Sequence, residues 1–333
     1  MAHLFIVTPA GAGTRNGNRH TALRWATLLR ASGHRVRVAL AWNGERCDAL
    51  VALHARRSAD SVARFAATGK PLVVTLTGTD LYRDLPRSAE AKRSLELADR
   101  VIVLQEAALD ELDRATRRKA RVVYQSADPR LRRRPPADRF RVCVIGHLRA
   151  EKDPLRTAMA LSRLPDRNIE VIHIGAALDL ALGKEAEAWM AREPRYRWLG
   201  GLPHGRALAW LAKSHVLVVS SVMEGGANVI AEAARIGTPV LASRVSGNIG
   251  MLSARYPGYY RLGDEAALGR LIARSASDRV FLRQLHRALR ERRHLFAPAA
   301  ERRALAMVVD EALARRSSPT LARTAALDQS TSP

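Results

Sequence analysis

Two carboxylates flank a glycine-rich turn in the second half of the chain. Residues 218–233 read V-V-S-S-V-M-E-G-G-A-N-V-I-A-E-A, so Glu224 precedes the glycine pair and Glu232 follows it. This run predicts a strand, a turn and a helix, and the N–H groups where such a helix begins favour an anion. The amides expected to bind it belong to Gly225, Gly226, Ala227, Asn228 and Val229. The carboxylates can accept hydrogen bonds from sugar and ribose hydroxyls around a diphosphate. A simpler interpretation is that the helix dipole favours an acidic residue at position 224 and that Glu232 is merely a partly buried side chain.

Two cations follow an earlier apolar run. Residues 144–154 read V-I-G-H-L-R-A-E-K-D-P, which predicts a strand that ends near Gly146 and carries Arg149 and Lys152 beyond its carboxyl end. Open α/β sheets bind ligands at that end of their strands, and two cations there suit a phosphate or a diphosphate. Taken alone, the two side chains are equally well explained as solvated surface cations.

A third segment, W-L-G-G-L-P-H at residues 198–204, ends another predicted strand with the glycine pair Gly200–Gly201. Loop chemistry alone accounts for these glycines. The segment G-T-P-V-L-A-S at 237–243 ends the helix that carries Glu232 and starts a further strand. We predict that Ser246, Gly247 and Asn248 form a loop after it.

The first half contains a loop whose side chains are almost exclusively hydrogen-bond donors. Residues 8–20 read T-P-A-G-A-G-T-R-N-G-N-R-H after the first predicted strand. Arginine binds phosphate in a bidentate manner, so the loop suits a small, highly charged anion. The residues expected to bind it are Gly13, Thr14, Arg15, Asn16, Asn18 and Arg19, with His20 as the loop's candidate general base. The alternative is a donor-rich helix start capped by Asn18. Thr77 and Asp80, in T-L-T-G-T-D at 75–80, follow another strand on the same side.

These segments require alternating strands and helices to position them. Short apolar runs alternate with helical patterns of 8–12 residues throughout, which indicates βαβ units and parallel sheets. We predict helices over 59–68 and 107–116 and a strand over 122–124 in the first half. The Arg-rich stretch 129–141, with Pro135–Pro136, breaks the alternation and predicts an exposed linker.

Composition limits the class of protein. Basic residues number 55 against 32 acidic ones, a net charge of +23, and only six of the 55 are lysines. Aromatic residues make up 5%, too few for the stacking surfaces of single-strand binders, so we expect a solvated basic surface and no nucleic-acid partner. The two cysteines exclude a disulfide scaffold and a Cys-based zinc site, and no apolar run spans a membrane. We expect a cytoplasmic protein without integral membrane contact.

Together the second-half motifs resemble the GT-B glycosyltransferases of the retaining glycosyltransferase-4 type. That family has G-x-L-x-x-x-K, then E-G-x6-E-A, then G-T-P-V, and this chain matches with Gly146 to Lys152, Glu224 to Ala233 and Gly237 to Val240. The resemblance implies an α/β fold of two doubly wound Rossmann-like domains that face a central cleft. The expected divisions are an acceptor domain over 1–134, a nucleotide-sugar domain over 139–295, a returning helix over 296–316 and a disordered tail over 317–333.

The resemblance also implies roles for the motif residues. Arg149 and Lys152 would neutralise the leaving diphosphate, Gly146 would let backbone approach it, and Glu232 would hold the ribose. Glu224 would contact the donor sugar, and the base would lie near Gly201. No Asp-x-Asp stands in the positions where metal-dependent transferases carry one, so cationic side chains would replace a metal and no cofactor is expected. Many relatives have a histidine in the segment that here reads T-L-T-G-T-D, and in this chain Thr77 or Asp80 would take its place.

The first half is similar to a narrower group, the selenosugar synthases of bacterial selenoneine biosynthesis. The similarity lies in T-P-A-x-x-G-T-R-N-G-N-R-H-T-A-x-R-W-A and T-L-T-G-T-D. It implies that selenophosphate attacks the sugar of UDP-N-acetylglucosamine, with loss of UDP and then of phosphate. Selenium is already deprotonated near neutral pH, so no dedicated base is required. His20 therefore has three interpretations: a general base, a residue that orients the phosphate, or a helix cap.

Three other functions stay open on the residues alone. A different GT-B transferase would move a sugar to a lipid, a glycan or a small hydroxyl acceptor. A non-catalytic polyanion binder would use the basic surface, although Glu224 and Glu232 beside an anion site argue against it. A GT-B epimerase would act on the nucleotide sugar alone. The donor sugar, the anomeric stereochemistry and the oligomeric state are not determined by the sequence.

Overall fold

The computed structural model describes residues 1–11 and 17–317, which form two compact units. The first contains residues 1–102, 113–121 and the chain from 302 onward, and the second contains 103–112 and 122–301. The expected anion-loop residues Gly13, Thr14, Arg15 and Asn16, and the expected disordered tail, lie outside the described residues. The domain limits expected from the sequence stay predictions.

The first sheet has six strands in the order β2-β1-β3-β4-β5-β6. They are β1 (His3–Val7), β2 (Arg35–Ala39), β3 (Ala49–Leu53), β4 (Leu72–Thr75), β5 (Arg100–Val103) and β6 (Ala120–Val122). The pairings of β1 with β2 and β3, of β3 with β4 and of β4 with β5 are parallel. Every residue of β3 is buried, as expected for a parallel strand covered on both faces.

Helices connect these strands. They are α1 (Gly17–Arg30), α2 (Ala59–Ala66), α3 (Ala89–Leu97) and α4 (Arg114–Lys119). Trp25, Ala26 and Leu29 of α1 are buried, so its apolar face packs inward as the 3–4 spacing predicts. A π-helical turn over Asp80–Asp84 follows β4.

Two predictions for this half were wrong in detail. The helix predicted over 107–116 is a 3₁₀ helix over Glu106–Glu111 followed by α4. The side chain of Asp113 accepts hydrogen bonds from the amides of Ala115 and Thr116 and thereby starts a new helix. The strand predicted over 122–124 is Ala120–Val122.

The second sheet is parallel throughout, in the order β12-β11-β10-β7-β8-β9. Its strands are β7 (Phe140–Ile145), β8 (Ile169–Ile174), β9 (Tyr196–Trp198), β10 (Val216–Val219), β11 (Val240–Ser243) and β12 (Tyr259–Tyr260). The first strand of this set, β7, lies in the middle. The chain therefore runs outward to one side through β8 and β9 and to the other through β10 to β12.

The helices of this unit cover both faces of the sheet. They are α5 (Arg156–Ser162), α6 (Leu180–Arg192), α7 (His204–Ala212), α8 (Asn228–Ile236), α9 (Ser246–Leu252), α10 (Glu265–Ser277) and α11 (Arg279–Arg292). The last helix, α12 (Pro298–Ser317), follows a 3₁₀ turn over Arg293–Phe296; its residues from 302 onward belong to the first unit.

The prediction of a loop at Ser246–Asn248 was wrong, because these residues form the first turn of α9. An ideal Cβ on Gly247 would lie 1.8 Å from the carbonyl oxygen of Glu224, so this turn closes against the Glu224 backbone only with glycine. The amide of Asn248 donates to the carbonyl and the hydroxyl of Ser243 and fixes the turn from the other side.

In the described part of the chain, no helix combines the length and the apolar character needed to cross a membrane.

Candidate active site

The topology of the second sheet marks one place for a ligand. Strand order reverses between β7 and β10, and ligands of open α/β sheets bind at the carboxyl ends of the strands at such a switch point. The loop after β7 carries Gly146, Arg149 and Lys152, and the loop after β10 carries Glu224 to Gly226. The two loops are tied together, because the amide of Val222 donates to the carbonyl of Glu151 and Ser220 Oγ lies within hydrogen-bond distance of the carbonyls of Lys152 and Asp153.

Lys152 and Glu224 meet at this switch point as an ion pair. Lys152 Nζ lies 2.5 Å from Glu224 Oε1, and the two side chains are 23% and 9% exposed. The hydroxyl of Ser221 donates to the same carboxylate oxygen, also at 2.5 Å. A small cavity beside the pair is lined by Gly146, Lys152, Glu224 and Val229, all of them predicted site residues, and by neighbouring strand ends. The sequence separates these residues by up to 83 positions, and the sheet brings them together.

A polar chain supports Glu224 from behind. Ser243 Oγ donates to the carbonyl of Ser221, and the buried side chain of Asn248 donates to Ser243. Asn248 Oδ1 is buried without a hydrogen-bond partner in the structure. This support fixes the Ser221–Glu224 loop, and it comes from Ser243 at the end of β11 and from Asn248, which was predicted to lie in a loop.

The helix that follows the glycine pair begins without a side-chain cap. The capping position of α8 is Ala227, and its side chain cannot accept from the first amides. Packing also requires glycine at position 226, because a Cβ there would lie 2.7 Å from Leu104 Cβ. The uncapped start therefore keeps the predicted anion-binding amides of 225–229 at the switch point.

A buried histidine that the sequence analysis missed holds the Gly146 loop. His173 Nε2 lies 3.1 Å from the carbonyl of Gly146, and Nδ1 lies 2.8 Å from the Tyr196 hydroxyl. Burial lowers the pKa of His173 to about 4, so the ring is neutral at pH 7. Because a carbonyl only accepts, Nε2 carries the proton, and Nδ1 accepts from Tyr196. A Cβ on the adjacent Gly175 would lie 1.9 Å from the Gly146 oxygen, so the two loops pack backbone to backbone.

The remaining predicted donor residues lie around this centre. Arg149 is exposed, and it has no ion pair among the described residues. Glu232, on α8, accepts from His204 Nε2 at 2.7 Å, and this hydrogen bond raises the pKa of His204 above its usual range. His204 starts α7 and follows the loop that contains Gly201, so the pair connects that loop to α8. Gly201 is exposed, and Gly200 has a φ of +65°, which favours glycine.

The first sheet has its own switch point, between β1 and β3, and polar residues of two loops meet there. Asp80 is 0% exposed, and its carboxylate accepts from the amides of Ala55, Thr77 and Gly78. Both oxygens are occupied, so any effect of Asp80 on a bound acceptor would be exerted through the loop. Thr77 is partly exposed.

The histidine absent from T-L-T-G-T-D has a counterpart on the neighbouring strand. His54 follows β3 with a φ of +73°, and its Nε2 lies 3.3 Å from Thr79 Oγ1 and 3.8 Å from Asp84 Oδ2. The side chain is 1% exposed, and burial lowers its pKa although Asp80 opposes the shift. The sequence analysis missed His54 because nothing in its spacing relates it to Thr77.

Of the remaining acceptor residues, Asn18 and Arg19 lie in the first turn of α1 and are partly exposed, and His20 is exposed. That turn has no acidic residue. Among the described residues, no group of three or more His, Cys, Asp or Glu side chains is arranged to hold a metal ion.

Residues 129–314 match the family described as glycosyl transferases group 1. The chain belongs to this family. The match includes every predicted donor-site residue of this group 1 glycosyltransferase, from Gly146 to Glu232.

Solved structures show the same fold over nearly the whole chain. The sucrose-phosphate synthase tll1590 from Thermosynechococcus elongatus is 17% identical, covers 94% of this chain and 99% of its own, and has a TM-score of 0.78. Anabaena Alr3699/HepE in complex with UDP is 19% identical, with 93% and 100% covered and a TM-score of 0.76. At these identities the likeness shows the fold alone. The group 1 glycosyltransferase thus has the GT-B fold that the sequence predicted.

Proposed function

We propose that this glycosyltransferase joins selenophosphate to the sugar of UDP-N-acetylglucosamine, forming a selenosugar. The observation that carries the donor half of the proposal is the Lys152–Glu224 pair beside the uncapped start of α8. A cation, a carboxylate and the first amides of a helix at one switch point suit a sugar attached to a diphosphate. Anabaena Alr3699/HepE, which shares the fold, forms complexes with UDP and with UDP-glucose, and this favours a UDP-sugar donor.

In this proposal Lys152 changes partner when the donor binds. Without ligand its charge is balanced by Glu224 at 2.5 Å. The diphosphate offers a doubly charged partner, so Lys152 and the exposed Arg149 would stabilise the negative charge that develops on the leaving group. Glu224, still held by Ser221, would then accept from hydroxyls of the donor sugar. Glu232 would accept from the ribose.

The transfer itself needs no dedicated base. The selenium of selenophosphate attacks the anomeric carbon, a C–Se bond forms, the C–O bond to the diphosphate breaks, and its electron pair leaves with UDP. Water then cleaves the P–Se bond and releases phosphate. Because the nucleophile is already an anion, the side chains have only to bind and orient it.

The acceptor half rests on the resemblance of residues 8–26 and 75–80 to the selenosugar synthases and on the chemistry of α1. Its first turn carries Arg19 and no acidic residue, so the helix dipole and the side chain both favour an anion there. Thr77 is the partly exposed side chain at the end of β4. We expect the reaction in the cytoplasm, without a metal ion, with His20 as the candidate base of the acceptor loop.

Mass spectrometry of the purified protein with UDP-N-acetylglucosamine, with and without selenophosphate, tests the proposal. We expect UDP release only with selenophosphate, together with a sugar product that shows the selenium isotope pattern. UDP binding without a selenium product would refute the acceptor and leave a GT-B transferase with a hydroxyl acceptor as the alternative. Failure to bind UDP would refute the donor assignment too.

A matched pair of variants separates the two halves. Lys152→Met should abolish turnover with any acceptor, whereas Arg19→Gln should raise the KM for selenophosphate and leave UDP binding unchanged. If Arg19→Gln lowered UDP affinity as much as Lys152→Met does, the acceptor role of α1 would be wrong.

A further inference from the structure

A concave, strongly basic surface lies at the other end of α8. We call it the basic groove; its volume is about 690 Å³, and it is lined by Ala234, Ile236, Gly237, Val280, Arg283, Gln284, His286, Arg287, Leu289, Arg290 and Arg293. Helix α8 starts at the carboxyl ends of the strands, so its last residues lie at their amino ends. The basic groove is therefore separate from the donor site, and the reaction proposed above does not use it.

The arginines of the basic groove lack compensating carboxylates. In the described part of the chain, Arg283, Arg287, Arg290 and Arg293 form no ion pair, whereas other arginines of the second unit do, as Arg141 does with Glu170. Three of them, at 283, 287 and 290, follow the i, i+4, i+7 spacing of one helix face. Like charges so close together repel each other, and no carboxylate among the described residues pairs with any of the four to offset this repulsion.

Two further arginines beside the groove carry buried donors without acceptors. The Nε atoms of Arg133 and Arg235 are buried and have no hydrogen-bond partner in the structure. Arg133 lies close enough to His286 to help lower the pKa of that histidine to about 4, after burial as the main cause. His286 is therefore neutral at pH 7, and the charge of the groove comes from arginine alone. The four lining arginines without a carboxylate partner therefore favour an anionic occupant.

The walls of the groove restrict the class of anion. Ala234, Ile236, Val280 and Leu289 supply aliphatic surface, and Val280 is 56% exposed. No Phe, Tyr or Trp side chain lines the groove, so it lacks the main surfaces on which nucleobases stack. Its concave shape does not match a flat lipid surface. Arginine with aliphatic surface suits carboxylates interspersed with aliphatic side chains.

We propose that the basic groove binds an acidic segment of a partner protein in which Asp or Glu alternates with aliphatic residues. The carboxylates form bidentate contacts with the arginines of α11, and an aliphatic side chain covers Val280 and Ile236. The groove is a docking surface away from the donor site, so occupation leaves the catalytic residues accessible.

Fluorescence anisotropy with a labelled peptide of Glu-Glu-Leu repeats tests this proposal on the full chain. The test variant is Arg283→Glu with Arg287→Glu. The control is Arg114→Glu with Arg118→Glu, which reverses two exposed arginines at the same spacing on α4. We expect wild type and control to bind alike and the groove variant to bind at least about tenfold more weakly. UDP binding checks that each variant is folded.

Further probes distinguish the occupants. Val280→Ser should weaken the Glu-Glu-Leu peptide and leave binding of a plain Glu peptide unchanged, because only the first uses the aliphatic wall. If the α4 control lost as much peptide affinity as the groove variant, the effect would come from net charge alone and the proposal would be overturned. Tighter groove-dependent binding of an oligonucleotide or of anionic vesicles, or no peptide binding at about 100 μM and low salt, would also overturn it.

Discussion

The carboxyl edges of the two sheets use buried carboxylates in opposite ways. At the edge of the first sheet, Asp80 accepts three backbone amides and is wholly enclosed. At the edge of the second, Glu224 pairs with the partly exposed Lys152, and Glu232 pairs with the exposed His204. A ligand cannot replace the enclosed backbone amides that bind Asp80, whereas it can replace one partner of an ion pair at the surface. The first edge is thus a fixed scaffold, and the second is an arrangement that a ligand can reorganise.

The two units also differ in which charged side chains lie near the start of an anion-favouring helix. The first turn of α1 lacks an acidic residue, and α8 lacks a side-chain cap, so both starts favour an anion. In the first unit the charged side chains near that start come from the helix itself. In the second unit Glu232 lies on α8 itself and Glu224 on the loop before it, whereas Lys152 comes from the loop after β7 and depends on the packing of the sheet.

Loss of Lys152 should have the largest effect on the second edge. Lys152→Met removes the cation that neutralises the leaving group, and we expect kcat/KM for the UDP-sugar to fall about 10³-fold. Steady-state measurement of UDP release gives this kcat/KM. Lys184→Met on α6, an exposed lysine, is the control and should change nothing. A loss below tenfold would mean that the exchange of partners at Lys152 is not part of the reaction.

A change behind the site should be the next largest. Gly247→Ala places a Cβ 1.8 Å from the Glu224 carbonyl oxygen, so either α9 or the Glu224 loop must move. We expect kcat/KM to fall about 10²-fold, as a small misplacement of a positioned group does. Gly205→Ala, whose Cβ meets nothing within 4 Å, should keep normal activity. Normal turnover in Gly247→Ala would show that Glu224 needs no such support.

The first edge should respond in stability rather than in turnover. Asp80→Asn replaces one carboxylate oxygen with an NH2 group, which cannot accept a hydrogen bond from the backbone amides that donate to Asp80. We expect the free energy of unfolding in urea to fall by about 2 kcal/mol. Asp60→Asn, at an exposed carboxylate, is the control and should be nearly neutral. If Asp80→Asn instead left stability unchanged and weakened selenophosphate use, the scaffold role would be wrong.

The smallest effect concerns pH at Glu232. The hydrogen bond from His204 raises the pKa of His204, so below that pKa an imidazolium competes with the ribose for the carboxylate. As pH rises through the pKa, the imidazole becomes neutral and the competition weakens. We expect UDP affinity to increase about two- to fivefold between pH 6 and 8, as for a solvent-exposed ion pair.

His204→Ala should bind UDP with little dependence on pH over that range, because the competing imidazolium is gone. The control is His294→Ala, a change at an exposed histidine remote from Glu232 in sequence. An unchanged pH profile in His204→Ala would assign the dependence to the diphosphate or to another residue.

The motifs of the second half could be predicted from the sequence because they are local. Each consists of a strand end, glycines and the start of a helix, and the spacing from Glu224 to Glu232 determines which side chains share that segment. The run from Val218 to Ala233 predicted a strand, a turn and a helix, and the structure has β10, the turn and α8 (Asn228–Ile236) in that order. The pattern did not predict where α4 begins, because the side chain of Asp113 caps a new helix there.

The partners of these residues could not be predicted. His173, His54, Ser243 and Gly247 support the two edges through hydrogen bonds or close backbone contacts with residues on other loops. Such contacts depend on the order of strands in the sheet, and no spacing along the chain encodes that order. Nor could the enclosure of Asp80, expected at an acceptor, be foreseen from T-L-T-G-T-D.

The sequence by itself determined the α/β class, the family motifs and the residue types at the strand ends, since alternation and glycine placement act within single βαβ units. Only the tertiary structure decided that Lys152 meets Glu224, that His204 occupies Glu232 and that uncompensated arginines line one groove. The physical reason is that ion pairs and packing act between atoms a few ångströms apart, whereas sequence patterns report only neighbours along the chain.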